Sequence, residues 1–155
     1  MKPIITKIIL CAVMAFVCVT ANAQVKEFEK YSDTKNVTYV YISKFMLKLA
    51  GAKASPSLPG VNTKSLMDKL DAIQIISAEE KLAALKLKAD TRDIVKRGKY
   101  GLLLQVNEDD EKVDIYYSVD KRHGIVVMLV EEDDEVNVIV FSGKFTLDDV
   151  MKMTK

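Results

Sequence analysis

Four apolar runs in the C-terminal half of the chain decide the fold: residues 100–106 (YGLLLQV), 112–119 (KVDIYYSV), 125–130 (IVVMLV) and 136–141 (VNVIVF). They are dense in β-branched, aromatic and other large apolar residues, which is typical of strands. The joints between them are short and polar, and such connections favour hairpins. The pattern therefore predicts a four-stranded antiparallel meander.

Two more strands and several helices are predicted around this meander. Residues 37–42 (VTYVYI) and 72–76 (AIQII) have the composition of strands. Helices are expected over residues 24–33, 43–51, 62–70 and 77–98, and from Thr146 onward. The sequence thus predicts one α+β domain with a mixed sheet of about six strands, and with helices packed mainly on one face.

The helix starts and buried positions follow from capping signals and spacing. Ser77 followed by Glu80, and Thr146 followed by Asp149, have the spacing of capping boxes, and Ser43 is a third expected cap. Residues 52–60 (AKASPSLPG) are expected to form a surface loop. The positions expected on buried helix faces are Val25, Phe28, Tyr31, Phe45, Met46, Leu49, Leu66, Met67, Leu70, Leu82, Leu85, Ala89, Leu147, Val150 and Met151.

The N-terminus has the three parts of an export signal in residues 1–23: a basic start, an apolar run over residues 8–19, and Ala21-Asn22-Ala23 as a small-x-small end. The apolar run is 12 residues long, which is short for a helix crossing a hydrocarbon core of about 30 Å. We predict cleavage before Gln24, leaving residues 24–155 as a single exported domain, periplasmic or extracellular. A retained membrane anchor is the alternative.

Composition excludes several classes of function. The chain has 155 residues, 23 basic and 22 acidic groups and a formal charge of +1, which argues against a nucleic-acid partner held by bulk charge. It has one His, no Trp and two Cys, both within the export signal. Thiolate metal sites, thiol nucleophiles and two-His sites therefore lack their ligands after cleavage. We expect no catalytic residue, no metal site and no cofactor, and the sequence favours a protein that is not an enzyme.

Charged turns join the strands of the meander. Glu108–Glu111 and Glu131–Glu135 form the first and third turns, which an antiparallel meander places at the same end of the sheet. Weak Ca²⁺ binding there is one interpretation, but solvated turns that discourage edge-to-edge aggregation are preferred. The second turn, Lys121–Gly124, is basic. A plain turn is preferred there too, and we expect no catalytic role for His123.

The alternation of side chains along the meander strands indicates a candidate binding surface. One face is expected to be polar on the first two strands of the meander and apolar on the last two. The apolar half consists of Met128, Val130, Ile139 and Phe141. One interpretation is that a helix or the N-terminal strand covers it. The other is that it is a surface for a partner or for self-association. The opposite face is expected to be core and to contain Leu102, Leu104, Val113, Ile115, Tyr117, Ile125, Val127, Leu129, Val138 and Val140.

The mature chain resembles a family of small exported Bacteroidetes proteins described as a domain of unknown function (4252-like). The resemblance rests on YSD (31–33), VTYVYISKFML (37–47), KYGLLLQV (99–106), VDIYYSV (113–119) and EEDDEVNVIVFSGKFTLDDVMKM (131–153), which includes Gly143. These are core and turn residues and not a catalytic signature. The resemblance implies export to the envelope and a shared α+β domain, and it assigns no activity to any residue.

Three functions are compatible with these observations. We expect a non-enzymatic envelope or secreted protein that binds another macromolecule, an unknown protein or envelope component, with self-association as a possibility. A small hydrolase that uses two carboxylates and a carrier of an apolar ligand are the alternatives. A deep pocket with two close carboxyl groups would favour the hydrolase.

Overall fold

The computed structural model describes residues 25–53, 68–120 and 123–151. The helices are α1 (Lys26–Glu29), α2 (Lys44–Lys53), α3 (Lys81–Arg97) and α4 (Leu147–Met151), and a 3-10 turn over Lys30–Asp33 follows α1. The strands are β1 (Thr38–Ser43), β2 (Leu70–Ala78), β3 (Gly101–Asn107), β4 (Glu111–Asp120), β5 (His123–Glu132) and β6 (Glu135–Gly143). The expected export signal and most of the loop expected over 52–60 lie outside the described residues, as do residues 62–67 of the helix expected over 62–70. The prediction was wrong at Leu70, which is the first residue of β2.

The six strands form one sheet in the order β1-β2-β6-β5-β4-β3. The α+β class, the strand number and the C-terminal meander are confirmed. Every neighbouring pair is antiparallel, so the sheet is antiparallel throughout where a mixed one was expected. The difference arises at β2, which lies between β1 and β6 and runs antiparallel to both of them.

The two sides of the sheet differ in what covers them. On the first side, called here the helix-covered face, α1 and the long α3 pack against Ile76, Val127 and Val140 in the main core. Since successive strand residues point to opposite sides, Val126 and its neighbours lie on the second side, called here the groove face. There α2 and α4 contribute Leu47 and Val150 to a smaller cluster at one end of the sheet.

Buried polar contacts attach the N-terminal segment to the main core. The side chain of Gln74 is 1% exposed, and its oxygen accepts a hydrogen bond from the Val25 amide at 2.9 Å. The Gln74 amide donates to the Val25 carbonyl and to the Tyr39 hydroxyl. Val25, Phe28 and Tyr31 are buried as predicted, and Asn36 ends the segment with a positive φ of 60°.

The predicted start of α3 is wrong. Ser77 lies inside β2, where it pairs with Thr38 and Asn137, and the helix begins only at Lys81. Glu80 occupies the N-cap position and makes no side-chain capping bond. Sheet pairing carries β2 through Ala78, and this pairing overrides the local capping signal.

The predicted buried stripes of two helices are also wrong. Leu82, Leu85 and Ala89 of α3 are exposed, and the buried residues are instead Ala84, Leu87, Thr91, Ile94 and Val95. On α2 the Ser43 cap is confirmed, since its oxygen accepts from the Met46 amide at 3.4 Å. The expected core positions Phe45, Met46 and Leu49 are nevertheless exposed, because α2 packs on the sheet through Leu47.

The residues of strand β4 lie on the opposite faces of the sheet from those predicted, because the register differs by one residue. Ile115 pairs with Met128 and Tyr116 with Val127, so placing Val113, Ile115 and Tyr117 on the same face as Val127 was wrong. Leu104 pairs with Ile115 and was placed on the wrong face with it. The hairpin joins Asp120 to His123, and this register pairs each even-numbered residue of β4 with an odd-numbered residue of β5.

This register changes the character of the groove face. Val113, Ile115 and Tyr117 lie on it, while Asp114 lies on the helix-covered face, 2% exposed, and accepts a hydrogen bond from the Gln105 amide at 2.7 Å. The face is therefore apolar along β4 as well as along β5 and β6, and not half polar as predicted.

Candidate functional site

The four residues predicted as a candidate surface lie together on the groove face. Met128 of β5 pairs with Ile139 of β6, and Phe141 lies two residues further along β6, opposite Val126. Val130 is two residues beyond Met128 on the same side of β5. All four side chains are half-buried.

A groove of about 560 Å³ runs along one end of this face. Met128 and Phe141 contribute to its floor, whereas Val130 and Ile139 are not part of its lining. The sheet supplies the rest of the floor from strands β3, β4 and β5, through Leu103, Leu104, Ile115 and Val126.

The far wall of the groove is α4 together with the residues beside it. Phe145, Leu147, Val150 and Met151 line this wall, and Leu70 at the start of β2 completes the lining. Val150 is buried as predicted, but Leu147 and Met151 are exposed, 43% and 51%, because they face the open groove. All eleven lining residues are apolar in the part of the chain that the structure describes.

A capping box and an ion pair hold α4 in place. Thr146 and Asp149 form the predicted capping box: the Thr146 amide donates to the Asp149 carboxylate at 2.9 Å, and the Asp149 amide donates to the Thr146 hydroxyl at 3.3 Å. Lys69 adds an ion pair to Asp149 at 2.6 Å. Hydrogen bonds from Lys69 and then from Thr146 lower the pKa of Asp149 to about 2.

A glycine in β5 makes room for the wall. A Cβ at Gly124 would overlap the ring and the carbonyl of Phe145. Phe145 itself is 2% exposed and packs in the smaller cluster with Val126 and Val150. Gly124 thus allows the aromatic ring to lie directly against the strand, where it closes the end of the groove.

Tyr117 is a polar residue of β4 that adjoins the groove. It lies opposite Val126 on β4, two residues from Ile115, and packs against the smaller cluster. Its hydroxyl is buried and has no hydrogen-bond partner among the described residues. Burial, and then the negative charge of Asp149, raise the pKa of this hydroxyl.

The acidic turns lie at the same end of the sheet, as predicted. Glu111 pairs with Glu132 at the ends of β4 and β5, and a shallow exposed hollow is bordered by Glu108–Glu111 and Glu132. Glu131 is bonded instead to Lys88 and Arg92 of α3, at 2.7 and 2.9 Å. No group of three metal-ligating side chains is placed to hold an ion within residues 25–53, 68–120 and 123–151.

The basic turn is described only in part. His123 is the first residue of β5, half-buried and paired with Asp120, whereas Lys121 and Arg122 lie outside the described residues. Across the described helices, none has the length and apolar character needed to cross a membrane.

The sequence prediction missed most of the groove. The register error removed Ile115 from the groove face, and the α4 residues Leu147 and Met151 were assigned to the core. The available signal for a groove was the short helix α4. It has three apolar side chains, and only one of them, Val150, is buried.

Fold and site together define an antiparallel open-sheet α+β domain that carries an apolar groove on one face. The chain belongs to the family described as Domain of unknown function (DUF4252), whose model matches residues 31–153. Comparison with curated proteins and with solved structures found no match.

Proposed function

We propose that this protein is an exported, non-enzymatic binding protein that holds a hydrocarbon chain of an envelope component in the groove. The observation that carries the proposal is a groove of about 560 Å³ that is apolar at every described lining position. Ligand sites in proteins are mostly apolar and have volumes of roughly 300–1,000 Å³. The groove therefore has the size of a small-ligand site.

The absence of polar lining groups among the described residues favours an alkyl chain over a peptide. A peptide backbone placed in the groove would lose water from its amides without gaining hydrogen bonds from the lining, which is unfavourable by several kcal/mol. An alkyl chain has no such groups, and each buried methylene contributes about 0.8 kcal/mol. We therefore propose that the part of the envelope component that the protein binds is its hydrocarbon chain.

The buried Tyr117 hydroxyl belongs to a residue that adjoins the groove without lining it. Leaving a buried hydroxyl without a partner is unfavourable by about 1–3 kcal/mol. A ligand with an oxygen at one end of its alkyl chain would relieve this cost by hydrogen bonding to Tyr117. A fatty acid is the simplest molecule of this kind.

The carboxylate-hydrolase alternative has no comparable support. Among the described residues no carboxyl group lines the groove. The carboxylates of the acidic turns border only a shallow, open hollow.

Calorimetric titration with hexadecanoic acid tests the binding proposal. We expect saturable binding to the protein purified after expression of the full chain. Leu147→Glu places a charge in the groove from an exposed position and weakens binding by at least about tenfold. Leu82→Glu, at an exposed position on α3 outside the groove, is the matched control and leaves binding unchanged. Equal binding by both variants, or no binding by the wild type, contradicts the proposal.

Export is a separate part of the proposal and has its own test. The basic, apolar and small-residue segments of residues 1–23 support it. N-terminal sequencing of the protein from its native host should find Gln24 as the first residue. A full-length product retained in the membrane contradicts export of a soluble domain.

A further inference from the structure

Strand β3 leaves one edge of the sheet open. Among the described residues it is the last strand in the sheet order and pairs only with β4. All seven of its residues, Gly101–Asn107, are exposed. In an antiparallel edge strand, alternate residues direct their backbone N–H and C=O groups away from the sheet, where another strand can bind them.

The composition of β3 offers little protection against such pairing. Native edge strands commonly carry Lys, other charges or Pro, but Gly101–Asn107 has none of these. Leu102, Leu104 and Val106 are between 37% and 54% exposed. A bulge between Leu102 and Leu104 is the one protective feature in the strand, and regular pairing with β4 extends from Leu104 to Asn107.

The charges on either side of β3 have opposite signs. Lys96, Arg97 and Lys99 precede the strand and are exposed, and the exposed run Glu108–Glu111 follows it. If two such strands pair antiparallel, the basic end of each lies beside the acidic end of the other. Parallel pairing would instead bring like charges together, which disfavours it.

We infer that β3 pairs antiparallel with the β3 of a second copy of this chain. The twofold axis lies near Leu104, the middle residue of the strand, and joins two six-stranded sheets into one. Because that axis is perpendicular to the sheet, the two groove faces lie on the same side. This inference goes beyond the ligand-binding proposal, since Leu102 and Val106 are not part of the groove lining.

Sedimentation equilibrium of the protein purified after expression of the full chain tests this inference. The wild type should form a dimer that weakens as salt is added, because screening reduces the attraction between the charged ends. Val106→Lys introduces the charge that protected edges carry and should give a folded monomer. Val130→Lys, at a half-buried position outside the groove on β5, is its control and leaves the dimer intact.

A charge swap tests the direction of pairing. Lys99→Glu and Asp109→Lys should each raise the dimer dissociation constant by about tenfold. The double variant should recover affinity, because the two altered charges then face each other across the axis. Lys48→Glu, an exposed change on α2, is the control. Any of three results overturns the inference: a monomeric wild type, a dimer unaffected by Val106→Lys, or a double variant that does not recover the dimer affinity. Circular dichroism verifies that each variant is folded.

Discussion

At the scale of single residues, Tyr117 connects the stability of the protein with the proposed binding. Its buried hydroxyl has no described partner, so replacing it removes an unfavourable group. We expect Tyr117→Phe to leave the free energy of unfolding unchanged or to raise it by about 1 kcal/mol in the absence of ligand. Chemical denaturation measures this difference.

Tyr31→Phe is the matched control for that prediction. The Tyr31 hydroxyl donates to Asp90 at 2.7 Å, and burial and this hydrogen bond both raise the pKa of Tyr31. Its loss should lower the unfolding free energy by about 1–2 kcal/mol. Equal destabilisation by the two Tyr→Phe changes would mean that Tyr117 has a hydrogen-bond partner after all.

Asp149 makes the stability of α4 depend on pH. Its pKa falls from a usual value near 3.8 to about 2 in the folded protein. A lowered folded-state pKa stabilises the protein above the unfolded-state value, and this contribution disappears as the pH falls towards 2. We therefore expect Asp149→Asn to be less stable than the wild type at neutral pH.

The stability difference should shrink as the pH falls from about 4 to about 2. Denaturant midpoints of the two proteins across this range provide the measurement. A difference that stays constant down to the lowest pH would show that the Asp149 carboxylate contributes nothing through its charge.

At the scale of elements, two serine or threonine residues with the same sequence signal have different roles. Thr146 caps α4 through bonds in both directions with Asp149, whereas Ser77 lies within β2. We expect Thr146→Ala to lower the unfolding free energy by about 1 kcal/mol. Ser77→Ala should change it by less than about 0.5 kcal/mol. The reverse order in thermal or chemical denaturation would contradict the observed helix boundaries.

These two positions also indicate what local sequence can predict. A capping box is a local signal and is correct at Thr146, where no strand competes. At Ser77 the pairing of β2 with β1 and β6 extends past the signal. The buried stripes of α2 and α3 were wrong for a related reason: several apolar faces were available, and contacts with the sheet selected Leu47 and Leu87.

The four meander strands were predictable because each is a continuous apolar run between polar turns. The face of the sheet on which each residue lies was not predictable, since a one-residue change in hairpin register exchanges the two faces of a strand. The Asp120–His123 register places Ile115 beside Met128. This single register makes the groove face apolar along β4 and brings Ile115 into the groove.

At the scale of the whole molecule, the sheet separates a core from a groove. Helices α1 and α3 cover one face, and α2 and α4 cover only part of the other. An apolar groove is left between α4 and the strands. The open edge of β3 borders this groove through Leu103 and Leu104. A dimer formed through β3 would therefore bring the grooves of the two copies towards each other on one side of the joined sheet.

The location of a bound alkyl chain tests the central claim most directly. Octadecanoic acid with a nitroxide spin label near the end of its chain broadens the NMR signals of nearby methyl groups. The proposed site predicts selective broadening of the Leu103, Val126 and Leu147 methyl signals, with Leu82 and Leu85 of α3 unaffected. Uniform broadening across all five residues, or broadening confined to α3, would contradict binding in the groove.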